Sequence, residues 1–187
     1  MNVPQLAALA AATACFASYG WGLARFFRMP GGRNSGHLVI AGATGASIFL
    51  HVLALTRFYR HGDARFAAAM ALYAVALVVF WWCVGVNRAR PCSLAFSGDA
   101  PGHIVTSGPY ALVRHPFYSS YDLCWVAGLL ATGWWPLAGT VVVMQVIYHR
   151  AALAEEAKFA ASPLGREYAH YAARTGRFLP ALRRASE

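Results

Sequence analysis

Three long apolar runs with almost no charged residues dominate the first half of the chain. They extend from about Val3 to Leu23, from about His37 to Leu55 and from about Phe66 to Val86. A helix needs about 20 apolar residues to cross a bilayer, because each residue adds only about 1.5 Å. We therefore expect three membrane-spanning helices. The composition agrees, since 58% of the residues are hydrophobic and only 12% are charged, whereas soluble domains carry roughly 25% charged residues.

Two shorter apolar stretches follow, from about Phe117 to Thr132 and from about Leu137 to Tyr148, with a Gly-Trp-Trp-Pro turn between them. Each is short for a full span, so they are predicted to form a tilted helical hairpin. The amphipathic segment from Arg150 onward predicts one or two short helices at the membrane surface. The fold class expected is thus all-α: a single polytopic membrane domain over residues 1–187, with about five transmembrane helices and a cytosolic C-terminal helical segment.

The net charge of +9 raises the question of nucleic-acid binding. The basic residues lie in the gaps between apolar runs, however, as expected for a membrane protein with positively charged cytoplasmic loops. With five spans and a cytoplasmic C-terminus, all of them except Arg57, Arg60 and Arg65 fall on the cytoplasmic side. We therefore expect a bilayer and no nucleic acid as partner. The long loop between the third and fourth runs and the C-terminal tail would then share a face and meet there.

The four cysteines show no Cys-X-X-Cys spacing, and at least three of them lie in apolar runs. They are interpreted as small buried hydrophobic residues rather than as disulfide partners or zinc ligands. No metal site is predicted. The Ala- and Arg-rich composition indicates a bacterial inner membrane protein.

The segment from Ser107 to Tyr118 holds the densest set of reactive side chains. Pro116 suits the first turn of a helix, where no N–H partner is needed. This places Arg114 and His115 at the N-terminus of the fourth apolar helix, where free N–H groups attract a carboxylate or phosphate. An interfacial anchor is the alternative interpretation of the same residues.

Glu155 and Glu156 follow the fifth apolar run. Two adjacent carboxylates in an Arg-rich chain are suited to binding ribose hydroxyls or an ammonium group. A helix-start charge pair, or a salt bridge to Arg150, explains them equally simply.

Three polar residues interrupt the apolar runs. Asp122 lies on the same helical face as Tyr118 and His115, and an ionisable group at membrane depth marks a functional site by default. We hypothesise that Asp122 is a catalytic base or orients the substrate, with a structural partnership as the alternative. His51 and Gln145 are candidates for lining a substrate tunnel or for hydrogen bonding between helices.

Several of these motifs occur in the order and at the distances of one membrane enzyme superfamily. The matching segments are Gly108-Pro109-Tyr110, Arg114-His115-Pro116 with Tyr118, Glu155-Glu156, Leu164-Gly165-Arg166-Glu167-Tyr168 and Arg177-Phe178-Leu179-Pro180. The C-terminal half of the chain, from Gly102 to Pro180, thereby resembles the isoprenylcysteine carboxyl methyltransferases and phospholipid methyltransferases.

The resemblance implies S-adenosyl-L-methionine as the cofactor and in-line methyl transfer to a lipophilic or membrane-embedded acceptor, such as a carboxylate, thiol or amine. It also implies a cofactor pocket that faces the cytoplasm. The residues implied to contact the cofactor are Gly102, His103, Ile104, Val105, Tyr110, His115, Pro116, Phe117, Tyr118, Glu155 and Glu156. Arg114 is expected beside Asp122 in the catalytic set. Because positioning alone lowers a barrier substantially, no nucleophile triad is required.

The chain departs from the prenylcysteine enzymes at one substrate-side position. Ala152 stands where those enzymes carry an Arg, and Arg150 replaces it only if the helix register differs. Two alternatives to the methyltransferase remain. A sterol-type NADPH-dependent double-bond reductase has a similar Arg-His…Tyr segment, but this chain lacks its Asn and Gly. A non-catalytic membrane scaffold of the same fold is the other.

Overall fold

A computed structural model describes residues 1–26, 35–59, 63–88 and 102–181. It contains α1 (Val3–Phe26), α2 (Ser35–Arg57), α3 (Asp63–Asn87), a 3₁₀ turn (Gly108–Ala111), α4 (Pro116–Thr132), α5 (Leu137–Ala160) and α6 (Gly165–Ala172). No strand occurs in these four ranges, and Val113 and Gly176 form an isolated parallel bridge. The expected all-α class is confirmed.

Four helices, α1, α2, α3 and α5, are long and apolar enough to cross a membrane. The expectation of about five spans exceeds this number because α4 has only 17 residues. At 1.5 Å per residue, α4 is about 26 Å long, slightly less than the hydrocarbon core. Its apolar composition and its position between α3 and α5 keep it inside the bundle rather than at the surface.

The predicted hairpin of the last two apolar stretches is present, but its second arm is longer than expected. α4 ends at Gly133, which has the left-handed conformation that glycine favours and whose N–H donates to the Leu129 carbonyl. α5 then extends to Ala160, three turns beyond the expected end near Tyr148. The extension is amphipathic, so the length of the apolar run underestimates the length of the helix. Glu155 and Glu156 therefore lie on α5 itself and not beyond it.

Small residues let the helices approach closely in the centre of the bundle. A buried cluster joins α1, α2, α3 and α4 through Ala8, Ala12, Cys15, Leu55, Tyr73, Ala76, Cys124 and Ala127, among others. Close backbone approach through such residues is how helices associate in lipid, where no hydrophobic force drives them together. Cys15, Cys83 and Cys124 are buried, as expected, and Cys92 lies outside the described residues.

His51 belongs to this packing. Its Nε2 lies 2.7 Å from the Tyr73 hydroxyl, its side chain is fully buried, and its ring contacts Phe16 and Trp125 edge-on. A Cβ at Gly128 would overlap the ring, so α4 accommodates the imidazole only because residue 128 is glycine. Of the two interpretations of His51, the structure favours hydrogen bonding between helices.

Candidate functional site

The two motif-bearing stretches meet at one end of the α4–α5 hairpin. The N-terminus of α4 and the last turns of α5 lie opposite the Gly133–Pro136 turn, and α6 leads the chain back to them. Arg114 N donates to the Gly176 carbonyl at 2.8 Å, and His115 N donates to the Arg177 carbonyl at 3.1 Å. The tail thus lies alongside the segment that opens α4, and the expectation that loop and tail meet is confirmed.

Glu156 is the centre of a charged cluster formed by Arg114, His115, Glu155, Glu156 and Arg177. Its Oε1 accepts from Arg114 Nε at 3.1 Å and from Arg177 Nε at 3.0 Å. Its Oε2 accepts from Arg177 Nη2 at 2.7 Å. Carboxylate–guanidinium contacts of this kind are among the stronger hydrogen bonds in proteins. They raise the pKa of Arg177 above its usual value, mainly through the hydrogen bond to Glu156.

His115 lies between the two glutamates. Its Nδ1 is 3.2 Å from Glu155 Oε2, and its Nε2 is 3.2 Å from Glu156 Oε1. A neutral imidazole has one N–H, so only the protonated ring donates to both carboxylates. Burial by itself lowers the pKa of His115, but hydrogen bonds and charge from both glutamates outweigh it, and the net pKa is raised. The two carboxylates thus favour the protonated form of His115 inside the cluster.

An aromatic stack adjoins the cluster. The Tyr118 ring stacks on the rings of His115 and Tyr148, and its hydroxyl donates to Glu155 Oε1 at 2.6 Å. Trp125 Nε1 donates to the Tyr148 hydroxyl at 3.1 Å. Flat aromatic faces next to a carboxylate are suited to contact a nucleoside or a sulfonium group.

Backbone contacts hold the tail in place at the same point. Arg114 Nη1 donates to the Ala172 carbonyl at 3.0 Å and also to the Thr175 carbonyl. Ser119 Oγ donates to the Phe178 carbonyl at 2.7 Å. Arg114 therefore binds the turn after α6 as well as Glu156, which explains why its side chain is largely buried.

A cavity of about 780 Å³ opens next to the cluster. Its wall is mostly apolar and combines residues of α3, of the 3₁₀ turn and the segment after it, of α4, of α5 and of the tail. The polar ones are Ser119, Asp122, Gln145 and Arg177. Its volume is within the range of about 300–1,000 Å³ typical of small-molecule sites. Pro116 and Arg177 belong to the cavity wall, and Arg177 also belongs to the cluster. The two features therefore form one continuous site.

The remaining expected cofactor residues have different positions. Gly102 to Val105 have no regular secondary structure, and they contribute neither to the cavity wall nor to the described hydrogen bonds of the cluster. The Tyr110 hydroxyl accepts from Asn87 Nδ2 at 3.0 Å, and its carbonyl accepts from the Tyr171 hydroxyl at 2.7 Å. Phe117 packs on Phe80 in the core. Tyr110 and Phe117 thus support the site rather than line its cavity.

The expected substrate residues also separate. Gln145 lines the cavity beside Asp122, whereas His51 is not among the cavity's lining residues and packs between helices instead. Arg150 is exposed on α5, while Ala152 is buried. The cation that reaches Glu156 from beyond α5 is Arg177, which the sequence motif contained but to which no role was assigned. The position of Arg177 in a matching motif marks it as a candidate, but the spacing of the motifs does not predict its ion pair with Glu156.

Comparison with known proteins adds one relative. The chain is 39% identical over 95 residues to the cobalt-zinc-cadmium resistance protein CzcN of Cupriavidus metallidurans. The match covers 49% of this chain and spans 42% of that protein's length. No protein-family model matches the chain, and no solved structure matches it. Within the described residues, no group of three His, Cys, Asp or Glu side chains is arranged to hold a metal ion.

Proposed function

We propose that this protein is an integral membrane methyltransferase that uses S-adenosylmethionine to methylate a lipophilic acceptor. The observation that carries the proposal is the meeting of Arg114-His115 with Glu155-Glu156 and Arg177, since these are the motifs on which the family resemblance rests. A cavity with mostly apolar walls adjoins them. The proposal includes a bacterial inner membrane and a cytoplasmic site, supported by the positive charge of the loop and tail.

The residues fit the cofactor chemically. Tyr118 and Tyr148 are the aromatic rings beside the cluster that an adenosine would contact, although here they stack on each other and are not among the cavity's lining residues. Glu155 offers a partly exposed carboxylate to the ribose or the amino group. Arg114 and Arg177 are donors for the carboxylate end, although Glu156 engages both of them here. Binding of the cofactor would supply an electrophilic methyl group on a sulfonium.

The protein's own contribution is positioning and exclusion of water. The charged cluster holds the tail over the end of the cavity, where Arg177, Phe178, Leu179 and Pro180 form part of the wall. An apolar wall limits the water that competes with the acceptor. An acceptor held in line with the reactive methyl gains much of its rate from orientation alone.

Titration calorimetry with S-adenosylmethionine on the protein in lipid nanodiscs tests the proposal. The wild type is expected to bind, and Glu156→Gln to bind about tenfold more weakly or worse, because a hydrogen bond to a charged group is worth about 1.5–3 kcal/mol. Glu167→Gln, on the exposed side of α6, is the matched control and should bind like the wild type. Binding of NADPH in place of S-adenosylmethionine would indicate the reductase, and binding of neither would leave the scaffold.

A further inference from the structure

The cavity wall carries one acidic side chain among the described residues, Asp122 of α4, in mostly apolar surroundings. We propose that this part of the cavity is the subsite for the methyl acceptor, and that it selects a lipophilic amine over a carboxylate or a thiol. The inference rests on the methyltransferase function proposed above for the reaction, but the selection itself depends only on the chemistry of the wall.

The position of Asp122 suits a subsite next to the cofactor end. Pro116, Ser119, Asp122, Leu123 and Val126 all line the cavity and share one face of α4 by their spacing. Pro116 lies at the charged cluster, and Asp122 lies about 9 Å further along the helix at 1.5 Å per residue. The cavity continues another turn, to Val126, where only apolar residues follow. An acceptor with an apolar body and one polar atom fits this order.

Gln145 of α5 orients the carboxylate. With its amide nitrogen turned towards α4, Gln145 donates to Asp122 Oδ1 at 2.8 Å and to Oδ2 at 2.5 Å. An ionised carboxylate accepts about four hydrogen bonds, so this contact leaves acceptor positions open. The amide is neutral, and it therefore positions the carboxylate without cancelling a negative charge.

The cation of the cavity wall does not compensate that charge. Arg177 directs Nε and Nη2 to Glu156, at 3.0 and 2.7 Å. Among the described lining residues, a carboxylate acceptor would therefore meet Asp122 with no unengaged cation beside it, and like charges repel strongly in a low-dielectric site. A thiol is too weak a donor to use the carboxylate. An ammonium group would donate charge-assisted hydrogen bonds to it.

The same carboxylate can serve the transfer. A bound alkylammonium gives one N–H proton to Asp122 and becomes an amine with a free lone pair. With the cofactor bound, the lone pair would form the N–C bond to the methyl carbon as the C–S bond breaks, and the electrons of the C–S bond would remain on sulfur. The products are an N-methylammonium and a neutral thioether, and the proton on Asp122 passes to solvent. Charge and atoms balance without any further reactant.

Three probes of matched shape test the selection: 1-adamantanamine, 1-adamantanecarboxylic acid and 1-adamantanethiol. Binding is measured without cofactor, as the concentration dependence of the thermal unfolding midpoint of the protein in nanodiscs. Methyl incorporation from labelled S-adenosylmethionine is measured separately. Asp122→Asn keeps the size and a hydrogen bond to Gln145 but removes the charge. Thr140→Val is the control, since Thr140 donates within its own helix to Leu137 and is not a lining residue.

We expect the amine to bind and to be methylated, and the acid and the thiol to do neither appreciably. Asp122→Asn should weaken amine binding by about 30-fold or more, as truncation of a buried charge contact does, while Thr140→Val leaves it unchanged. An acid or thiol that binds as well as the amine, or full amine affinity in Asp122→Asn, overturns the inference. If Asp122 only connects α4 to α5, Asp122→Asn should keep full amine affinity and lower the unfolding midpoint.

The two proposals fail separately. If S-adenosylmethionine binds and the acid is the preferred acceptor, the methyltransferase stands and the amine subsite is wrong. If S-adenosylmethionine does not bind but the amine preference is present and depends on Asp122, the subsite stands as a binding site and the methyltransferase is wrong.

Discussion

Arg177 and Glu156, 21 residues apart, form a two-point contact in which Nε donates to Oε1 at 3.0 Å and Nη2 to Oε2 at 2.7 Å. The contact joins the tail to the last turns of α5. Because Oε1 also accepts from Arg114, the tail, α5 and the start of α4 are connected through one carboxylate. Glu156 is therefore the side chain that joins these three segments, in addition to the backbone contacts that hold the tail at the start of α4.

Removal of that carboxylate's charge should destabilise the protein. Glu156→Gln replaces the carboxylate that Arg114, His115 and Arg177 share with a neutral amide, and we expect the free energy of unfolding to fall by about 1.5–3 kcal/mol. Thermal unfolding in nanodiscs measures the change. Glu167→Gln, exposed on α6, should have no effect. An unchanged midpoint for Glu156→Gln would show that the cluster contributes nothing to stability.

The geometry of Arg177 should matter beyond its charge. Arg177→Lys keeps the positive charge, but an ammonium cannot reproduce two parallel contacts with one carboxylate. We expect cofactor affinity to fall about tenfold or more, in line with one lost charged hydrogen bond. Arg166→Lys on the exposed face of α6 is the control. Equal affinities for the Arg177 variant and the wild type would mean that only the charge is needed.

His115 should make stability dependent on pH. Its folded-state pKa is raised above the ordinary value of 6.5, so protonated His115 binds more tightly in the folded state. Its contribution is complete below pH 6.5 and is lost as the pH rises through the folded-state pKa. The other ionisable groups at this point are Tyr118 of its own helix, Glu155 and Glu156 of α5, and Arg114 and Arg177 beside them.

The measurement is the difference in unfolding midpoint between the wild type and His115→Gln, followed from about pH 5.5 to 9. The difference should be largest at the acidic end and shrink as the pH rises. His170→Gln, exposed on α6, should show no such trend. A difference that grows with pH would contradict a protonated His115.

Gly128 should tolerate no side chain. In Gly128→Ala the new methyl group overlaps the His51 ring, and overpacking of this kind costs about 1–3 kcal/mol. Gly139→Ala is the matched control, because a Cβ there meets nothing within 4 Å, and it should be neutral or slightly stabilising. The thermal unfolding midpoints of the two variants, compared with the wild type, test this expectation. If His51→Ala restores the stability of Gly128→Ala, the overlap with the ring is the cause.

The number, order and approximate positions of the apolar helices follow from the sequence, since a bilayer rewards about 20 apolar residues wherever they occur. The three first runs agree with α1, α2 and α3 to within a few residues. The end of α5 does not follow in this way. The last turns of α5 are held by contacts of Glu155 and Glu156 with residues far away in the chain. Such contacts produce no pattern of apolar residues in the sequence from which the end of the helix could be predicted.

The candidate site divides in the same manner. The motifs predict that Arg114, His115 and the glutamate pair lie together. Both the helix N-terminus at Pro116 and the order of the motifs can be recognised from the sequence alone. Which face each side chain takes was not visible. His51 and Gln145 are both lone polar residues in apolar runs, yet Tyr73 and Gly128 enclose the first, and the second reaches Asp122. Helix rotation within the bundle sets that difference, and rotation depends on the packing of all neighbours at once.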